Sequence, residues 1–491
     1  MLASPRARFL LAGGAVCAAI LAYVGLRYGD AVGLYFFLDD FWVLRDAARV
    51  RASGTWALPQ LFEPSHGGLL LYRPLTQLGY FYLLRLLFGL DPSAYHAFHL
   101  LLFGLNACLA AGIVRALTAS WGWALAGGLL YAAAPGHTLA VYWLAAATMT
   151  GTATVVLAAM LWWLVAPDRW RAIGAGALQV VALGASEHAI ALPLLLAALA
   201  LLGPRRQTSG ATLRGIAPAA AVCALYLGVK LVYFLEHGFP SGGYALKAQV
   251  GDWITNLGRY ASASLAMPPL APLSPDAARG IGVGTLVALP IAVGLAWRRG
   301  GAPALPALGL VVFVVALLPV LPLTEHYFDY FVGVAALGIA LLLVGLCRAL
   351  PRGAGVAGAA LVATVLIADR ATCHRVAENG TAVQLMRLAS AESRATLRAL
   401  AATAARAPAG MPILVPVSPN NAAMIDFGQA NRVFFDPPIA ARTNERPSAA
   451  APAMPLLPAP PDTPVPGADP RWDWLRAAAA AAHARYAGDC R

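Results

Sequence analysis

The sequence predicts an all-α polytopic membrane protein, and three observations carry that reading. The 491 residues are 59% hydrophobic and only 12% charged, where a soluble domain is usually about 45–50% apolar and about 25% charged. The chain has a mean hydropathy of +0.67 and holds many apolar runs of spanning or near-spanning length. Those runs are continuous and do not alternate with period two, which argues against an outer-membrane barrel. Backbone groups in lipid must find partners within their own segment, so the spans are helices. The net charge of +12 fits the same class, because the basic residues sit in short loops between spans, as orientation signals do, and not in a nucleic-acid-binding patch.

In chain order, Arg6 and Arg8 precede a span from about Phe9 to Tyr28. No small-x-small cleavage site follows closely, so this segment is expected to be a signal anchor with the arginines inside. Residues 29–93 then form the first outer loop. Within it, Asp40–Ala52 is expected as a short amphipathic helix stopped by Ser53-Gly54. Pro74–Leu90 is expected to lie flat in the interface, where Arg85 can snorkel and Tyr80 and Tyr82 suit the headgroup level. Further spans are expected over Ala94–Val114, Trp121–Ala134, Leu139–Val165, Ala172–Ser186, Ala189–Leu202, Gly215–Leu235, Ile281–Trp297, Ala304–Leu321, Phe328–Leu346 and Gly353–Ala368, about eleven in all. The loops then expected inside hold Arg115, Arg169 and Arg171, Arg205, Arg206 and Arg214, Arg298 and Arg299, and Arg348 and Arg352, while most acids fall outside.

Residues 1–370 are thus the membrane module, and residues 371–491 an outer C-terminal region of different composition. In that region Ala391–Arg406 reads as a helix, Pro412–Val417 and Arg432–Phe435 as strands, residues 448–470 as a Pro/Ala-rich linker, and Trp472–Tyr486 as a closing helix. Of six cysteines, Cys17, Cys108 and Cys223 lie in spans and Cys347 near the inner face. Cys373 and Cys490 bracket the tail, either as a disulfide in an oxidising compartment or as free thiols.

The residues that could carry chemistry gather in the outer turns. Leu38-Asp39-Asp40-Phe41-Trp42 sets two adjacent carboxylates among aromatic residues at a membrane surface. One of them can be an N-cap for the helix that follows. Mutual repulsion would raise the pKa of one and make it a better base for a hydroxyl nucleophile. Leu71-Tyr72-Arg73-Pro74-Leu75 closes the same loop with Arg73, either an interfacial anchor or a planar fork for phosphate oxygens. Pro135-Gly136-His137-Thr138, followed by Tyr142-Trp143, marks another outer turn. Ser186-Glu187-His188 lies between two short spans, where ionisable groups are costly and usually functional. Thr324-Glu325-His326-Tyr327-Phe328-Asp329-Tyr330 opens a further outer turn. Glu and His are usual metal ligands, but no within-helix spacing supports a site, so none is assigned. The chain has no P-loop, no GxGxxG opening a helix, no GxSxG and no CxxC pair, which removes support for a nucleotide-fuelled pump or a soluble sugar-nucleotide enzyme.

This ordered set resembles the GT-C superfamily of membrane glycosyltransferases, and within it the transmembrane O-mannosyltransferase group that often carries tetratricopeptide repeats. The likeness runs through Leu38-Asp39-Asp40-Phe41, Tyr72-Arg73-Pro74-Leu75, Tyr95-His96-Ala97-Phe98-His99 with Asn106, Pro135-Gly136-His137 with Val141-Tyr142-Trp143, Ser186-Glu187-His188 with Leu192-Pro193, and Glu325-His326-Tyr327. The resemblance implies transfer of a sugar, with inversion, from a polyprenyl-phosphate-linked donor to a lipid, glycan or protein acceptor on the outer face of a bacterial cytoplasmic (inner) membrane. The alternation of basic loops is expected to leave the N-terminus inside and the C-terminus outside, and no soluble cofactor is implied. By position, Asp39 or Asp40 is the implied base, with Asp39 preferred because related enzymes more often use the first of such a pair. The implied substrate-binding residues are Arg73, His137, Glu187, His188, Glu325, His326 and Tyr327, with Arg73 and His326 facing the phosphate. The chain departs from the group in two ways. A lysine usually precedes the acid of the segment matched by Ser186-Glu187-His188, and here it is missing. The tail also lacks the tetratricopeptide period of about 34 residues. The rival expectations are a transporter or flippase, which would place charges at mid-membrane, a polymerase or ligase of lipid-linked glycans, and a non-catalytic scaffold.

Overall fold

A computed structural model of the chain describes residues 4–54, 59, 62, 71–203, 209–265, 274–299, 304–350, 354–370, 383–408, 411–436, 438–443, 454–460 and 463–478. It is almost wholly helical. Helix α1 (Pro5–Tyr28) starts with Ser4 capping the Ala7 N–H at 3.2 Å and Pro5 in the first turn, where its missing N–H costs nothing. Then follow α2 (Asp40–Ala52), α3 (Tyr80–Phe88), α4 (Pro92–Thr118), α5 (Trp121–Ala132), α6 (His137–Tyr142), α7 (Ala147–Val165), α8 (Asp168–Ala185), α9 (Leu192–Leu202) and α10 (Ser209–His237). The helical set continues with α11 (Val250–Ser264), α12 (Pro275–Arg299), α13 (Ala304–Leu317), α14 (Ala335–Arg348), α15 (Ala354–Arg370) and α16 (Val383–Ala404).

Among the described residues, five helical segments are long and apolar enough to cross a membrane: Arg6–Gly33, Pro92–Thr118, Leu144–Val165, Gly210–His237 and Pro275–Leu295. Shorter apolar helices run over Glu187–Leu202, Ala304–Leu317 and Ala335–Arg348. Ile20, Leu157, Met160, Leu196 and Leu341 are fully buried at the centre of the bundle. Outward-facing leucines such as Leu101, Leu213 and Leu225 are exposed, as lipid-facing side chains would be.

The structure departs from the sequence expectations at several points. Residues 139–165 are not one helix: Trp143 is extended, and a 3-10 turn Leu144–Ala146 separates α6 from α7. That break frees the Ala145 N–H for a partner outside the helix ladder. The segment expected to begin a span at Phe328 first makes a 3-10 turn, Asp329–Gly333. The loop after α10 contains α11, which was not anticipated; its buried Leu257, Tyr260, Ala261 and Ser264 recur at helical spacing. Arg432–Phe435 is not a strand, since Ala430–Val433 is helical.

The C-terminal region builds a small parallel sheet of order β2-β1-β3, with β1 (Ile413–Val415) between β2 (Ala441–Thr443) and β3 (Met454–Pro455). The expected linker therefore contributes a strand. A 3-10 turn Pro470–Trp472 leads into the helix that closes the described chain. Cys373 and Cys490 lie outside the described residues.

This region and the first loop share one hydrophobic core. Phe36, Phe41, Leu44 and Phe81 from the loop meet Leu397, Leu400, Val415 and Met424 from the tail. Burying one such side chain contributes about 1.5–3 kcal/mol. Gly428 comes so close to α2 that an added Cβ would stand 2.4 Å from Phe41 Cβ, so only glycine fits there. Polar ties follow the same seam. Arg387 pairs with Asp30 at 2.5 Å, Arg394 donates to the Gly33 carbonyl at 2.8 Å, and the Tyr35 N–H donates to Ser390 Oγ at 2.7 Å. Buried Asp91 accepts from Asp469 N–H and from Arg476, each at 2.7 Å.

Candidate functional site

The site is built on the stretch that leads into α2. Residues 34–37 belong to no helix or strand, and Leu38 then takes a left-handed conformation with φ of +49°. For a leucine this costs about 1–2 kcal/mol and has to be held by its surroundings. Two hydrogen bonds hold it. The Leu38 N–H donates to Asn420 Oδ1 at 3.0 Å, and the Phe37 N–H donates to Asp40 Oδ2 at 3.1 Å.

The two carboxylates part company here. Asp40 is fully buried, and its Oδ1 accepts the freed Ala145 N–H at 2.7 Å. Both of its oxygens are therefore occupied in fastening the loop to the α6–α7 break. Asp39 occupies the N-cap position; its side chain makes no capping bond and keeps access to solvent, and its carboxylate has no hydrogen-bond partner among the described residues. Both carboxyls have pKa values raised above the usual carboxylate range, and burial is the main cause in each case. Repulsion from Asp39 is only a minor contribution at Asp40, so the expectation that mutual repulsion sets the shift is corrected.

Opposite this loop stands an ion pair. Pro74 opens a tight turn, Pro74–Gly79, and the Thr76 hydroxyl donates to the Ala185 carbonyl at the end of α8 at 2.5 Å. That tie brings Arg73 against Glu187, which begins the 3-10 turn Glu187–Ala191. The guanidinium grips the carboxylate with two prongs, Nε to Oε2 at 2.9 Å and Nη2 to Oε1. Burial opposes ionisation of both groups, but their pairing outweighs it: Glu187 stays below the usual carboxylate range, and Arg73 stays protonated.

Two histidines complete the group. Burial, with further contributions from neighbouring charges, lowers both His188 and His326 to about 4, so both are neutral near pH 7. Ser186 Oγ lies 2.7 Å from His188 Nδ1; donating there leaves the ring proton on Nε2. Phe331 lies between the rings, its centroid 4.8 Å from His188 and 6.2 Å from His326. Tyr244, from the loop between α10 and α11, stacks on His326 at 4.2 Å. Tyr244 and Tyr330 each lie within electrostatic range of Asp39, Arg73 and Glu187, so the open carboxylate and the ion pair share these two tyrosines as neighbours.

The fold thus brings Asp39, Arg73, Glu187, His188 and His326 together. The remaining expected residues lie elsewhere. His137 is buried in the core between Tyr131 and Phe103, at 4.7 and 5.0 Å. The turn before it packs so closely that a Cβ on Gly136 would meet Val332 at 2.5 Å. Tyr327 turns away from His326 and stacks on Tyr260 at 4.6 Å. Glu325 is half-exposed and pairs with Lys247 at 2.8 Å, which fastens the Tyr244 loop.

Sequence reading missed Tyr244, Tyr330 and Lys230. Lys230, 8% exposed on α10, lies with its Nζ 5.5 Å over the Tyr226 ring and within electrostatic range of Arg73 and Glu187. A lysine thus reaches the acid from another helix, although none precedes it in sequence. The only sequence signal was a lone cation inside an apolar run. Among the described residues, no three His, Cys, Asp or Glu side chains come together as a metal site. The fold and site define a helical protein with several membrane-length apolar helices and a group of polar and aromatic side chains drawn from the turns between helices. No family model matches the chain, and no curated protein matches it significantly.

Proposed function

We propose that the chain is a GT-C-type glycosyltransferase of a bacterial cytoplasmic membrane that takes its sugar from a polyprenyl phosphate at the outer face. About eleven helices cross the membrane in this reading, with the N-terminus inside and the first loop and C-terminal region outside. The observation that carries it is Asp39: an accessible carboxylate with a raised pKa and no hydrogen-bond partner among the described residues, which shares Tyr244 and Tyr330 as neighbours with the Arg73–Glu187 pair. Asp39 removes the proton from an acceptor hydroxyl. The acceptor oxygen bonds to the anomeric carbon from the face opposite the donor phosphate, and the carbon–oxygen bond to that phosphate breaks. The electron pair leaves with the lipid phosphate. Arg73 and Lys230 favour the charge that develops there, and neutral His188 and His326 supply hydrogen bonds without adding charge.

Asp40 is the structural member of the pair in this mechanism. A polymerase or ligase of lipid-linked glycans would use the same groups. No placement of charge in the described residues favours a transporter over the enzyme.

The test uses purified protein, a radiolabelled panel of polyprenyl-phosphate sugars and membrane acceptors. Asp39→Asn should lower transfer by about 10²–10⁴-fold with insertion unchanged. Asp40→Asn should leave measurable transfer but a less stable protein. Wild type that transfers from no donor, or Asp39→Asn that transfers as wild type does, would overturn the reading.

A further inference from the structure

We propose that the C-terminal region is a clamp on the Asp39 loop, and that Asn420 is its positioning residue. The inference rests on the reading above that Asp39 is the reacting carboxylate, and it adds a role for the tail that the reading does not contain.

Leu38 is the residue that aims Asp39, and it stands in a backbone region that leucine rarely adopts. A local sequence preference cannot hold it there, so a contact from outside must. The structure provides that contact through Asn420, which is 4% exposed. Its Oδ1 accepts the Leu38 N–H at 3.0 Å, while its Nδ2 donates to Ser393 Oγ at 2.9 Å and to the Ala389 carbonyl at 3.2 Å. The amide is thus locked in orientation by α16, and its oxygen has one direction to point. Asn420 is itself held in a short helical turn, Pro419–Asn421, whose N-cap Ser418 accepts the Asn421 N–H at 3.0 Å. Ser390, on the same helix, takes the Tyr35 N–H at 2.7 Å. The loop therefore has two of its backbone donors read by the tail, three residues apart, on either side of the buried Phe36 and Phe37.

A region serving only acceptor recognition would not need to bind the backbone of the reacting loop. The arrangement instead makes transfer depend on the tail being docked. Loss of the Asn420 oxygen leaves Leu38 without its outside restraint, and the loop relaxes toward an ordinary backbone that turns Asp39 away.

The experiment compares wild type, Asn420→Ala, Asn420→Asp and Asn420→Ala combined with Leu38→Asn. Asparagine tolerates the left-handed region, so the combined variant should hold the turn without the clamp. Hydrogen–deuterium exchange over residues 34–42 should quicken about tenfold or more in Asn420→Ala and in Asn420→Asp, whose second oxygen would face the Ala389 carbonyl in place of the donating Nδ2, and return toward wild type in the combined variant. With a donor that wild type accepts, Asn420→Ala and Asn420→Asp should lose kcat about tenfold or more with donor KM unchanged, and the combined variant should recover most of it. If Asn420→Ala fails to fold, the comparison of Asn420→Asp with Asn420→Asp/Leu38→Asn decides by the same two readouts. Unchanged exchange and kcat in Asn420→Ala would overturn the clamp and leave the glycosyltransferase reading standing. If wild type transfers no sugar, that reading falls, and exchange without rescue by Leu38→Asn would overturn the clamp as well.

Discussion

The Asp40 carboxylate carries one N–H on each oxygen, from Phe37 and from Ala145. An amide in its place leaves one of those buried donors facing another donor. Asp40→Asn should therefore cost about 1–3 kcal/mol, read by thermal or chemical unfolding in detergent, and an unchanged midpoint would contradict the structural role assigned to it. The histidines make a second prediction at this scale. His188 and His326 sit near pKa 4 in the fold, against about 6.5 in an unfolded chain. The unfolded chain takes up protons first as the pH falls, so their contribution is fully present above about pH 6.5 and is lost on going down toward 4. Glu187, held low by Arg73, loses its contribution in the same direction but at lower pH. The melting temperature should therefore drop between about pH 6.5 and 4.5, and His188→Gln/His326→Gln should flatten that slope. A slope that persists in the double variant would place the titration elsewhere. Asp39, Arg73, Glu187, His188 and His326 were all legible in the sequence, because charged or polar residues stand out beside apolar runs. Tyr244 and Lys230 were not, because a tyrosine in a long loop and a lysine on a helix acquire meaning only through what stands next to them in space.

At the level of elements, the C-terminal region is the largest departure from a local reading. Its helix α16 and its strand β1 lie where hydropathy and composition placed them. The Pro/Ala-rich stretch read as linker supplies a two-residue strand beside β1, because pairing of that length needs no apolar pattern of its own. The seam with α2 gives a direct test. Gly428→Ala must displace Phe41 or the backbone around it, and overpacking of this kind costs about 1–3 kcal/mol. The same change should loosen the Asp39 loop, seen as faster proteolysis or faster hydrogen exchange over residues 34–42. A fully stable Gly428→Ala would mean that the seam is looser than the 2.4 Å approach implies. The α6–α7 break is the second element that sequence did not disclose. Its residues are apolar throughout, and the kink is set by Ala145 turning its N–H to Asp40, a partner more than a hundred residues away in sequence.

For the whole molecule, contact between the first loop and the C-terminal region has a topological consequence. In the proposed topology, two segments that share a core lie on one side of the membrane, which requires an even number of crossings between Leu90 and Val383. The sequence reading, which gives one crossing before the first loop and about ten after it, meets that condition. The expected outcome of labelling is correspondingly sharp. In a cysteine-free background, single cysteines at Gly33 and Arg471, both exposed, should react with an impermeant maleimide from the same side, and one at Arg169 only from the other. Labelling of Gly33 and Arg471 from opposite sides would break the packing described here. The sequence by itself determined the helical, apolar, membrane-length character of the chain, because hydropathy and the need to satisfy backbone groups in lipid are local properties of each segment. It also nominated the polar residues at the helix ends. Only the tertiary structure decided which of two adjacent carboxylates is open and which is fastened, that His137 and Tyr327 belong to the core, and that the tail grips the first loop. Those outcomes rest on hydrogen bonds and packing between residues far apart in the chain, and no local pattern encodes a distant partner.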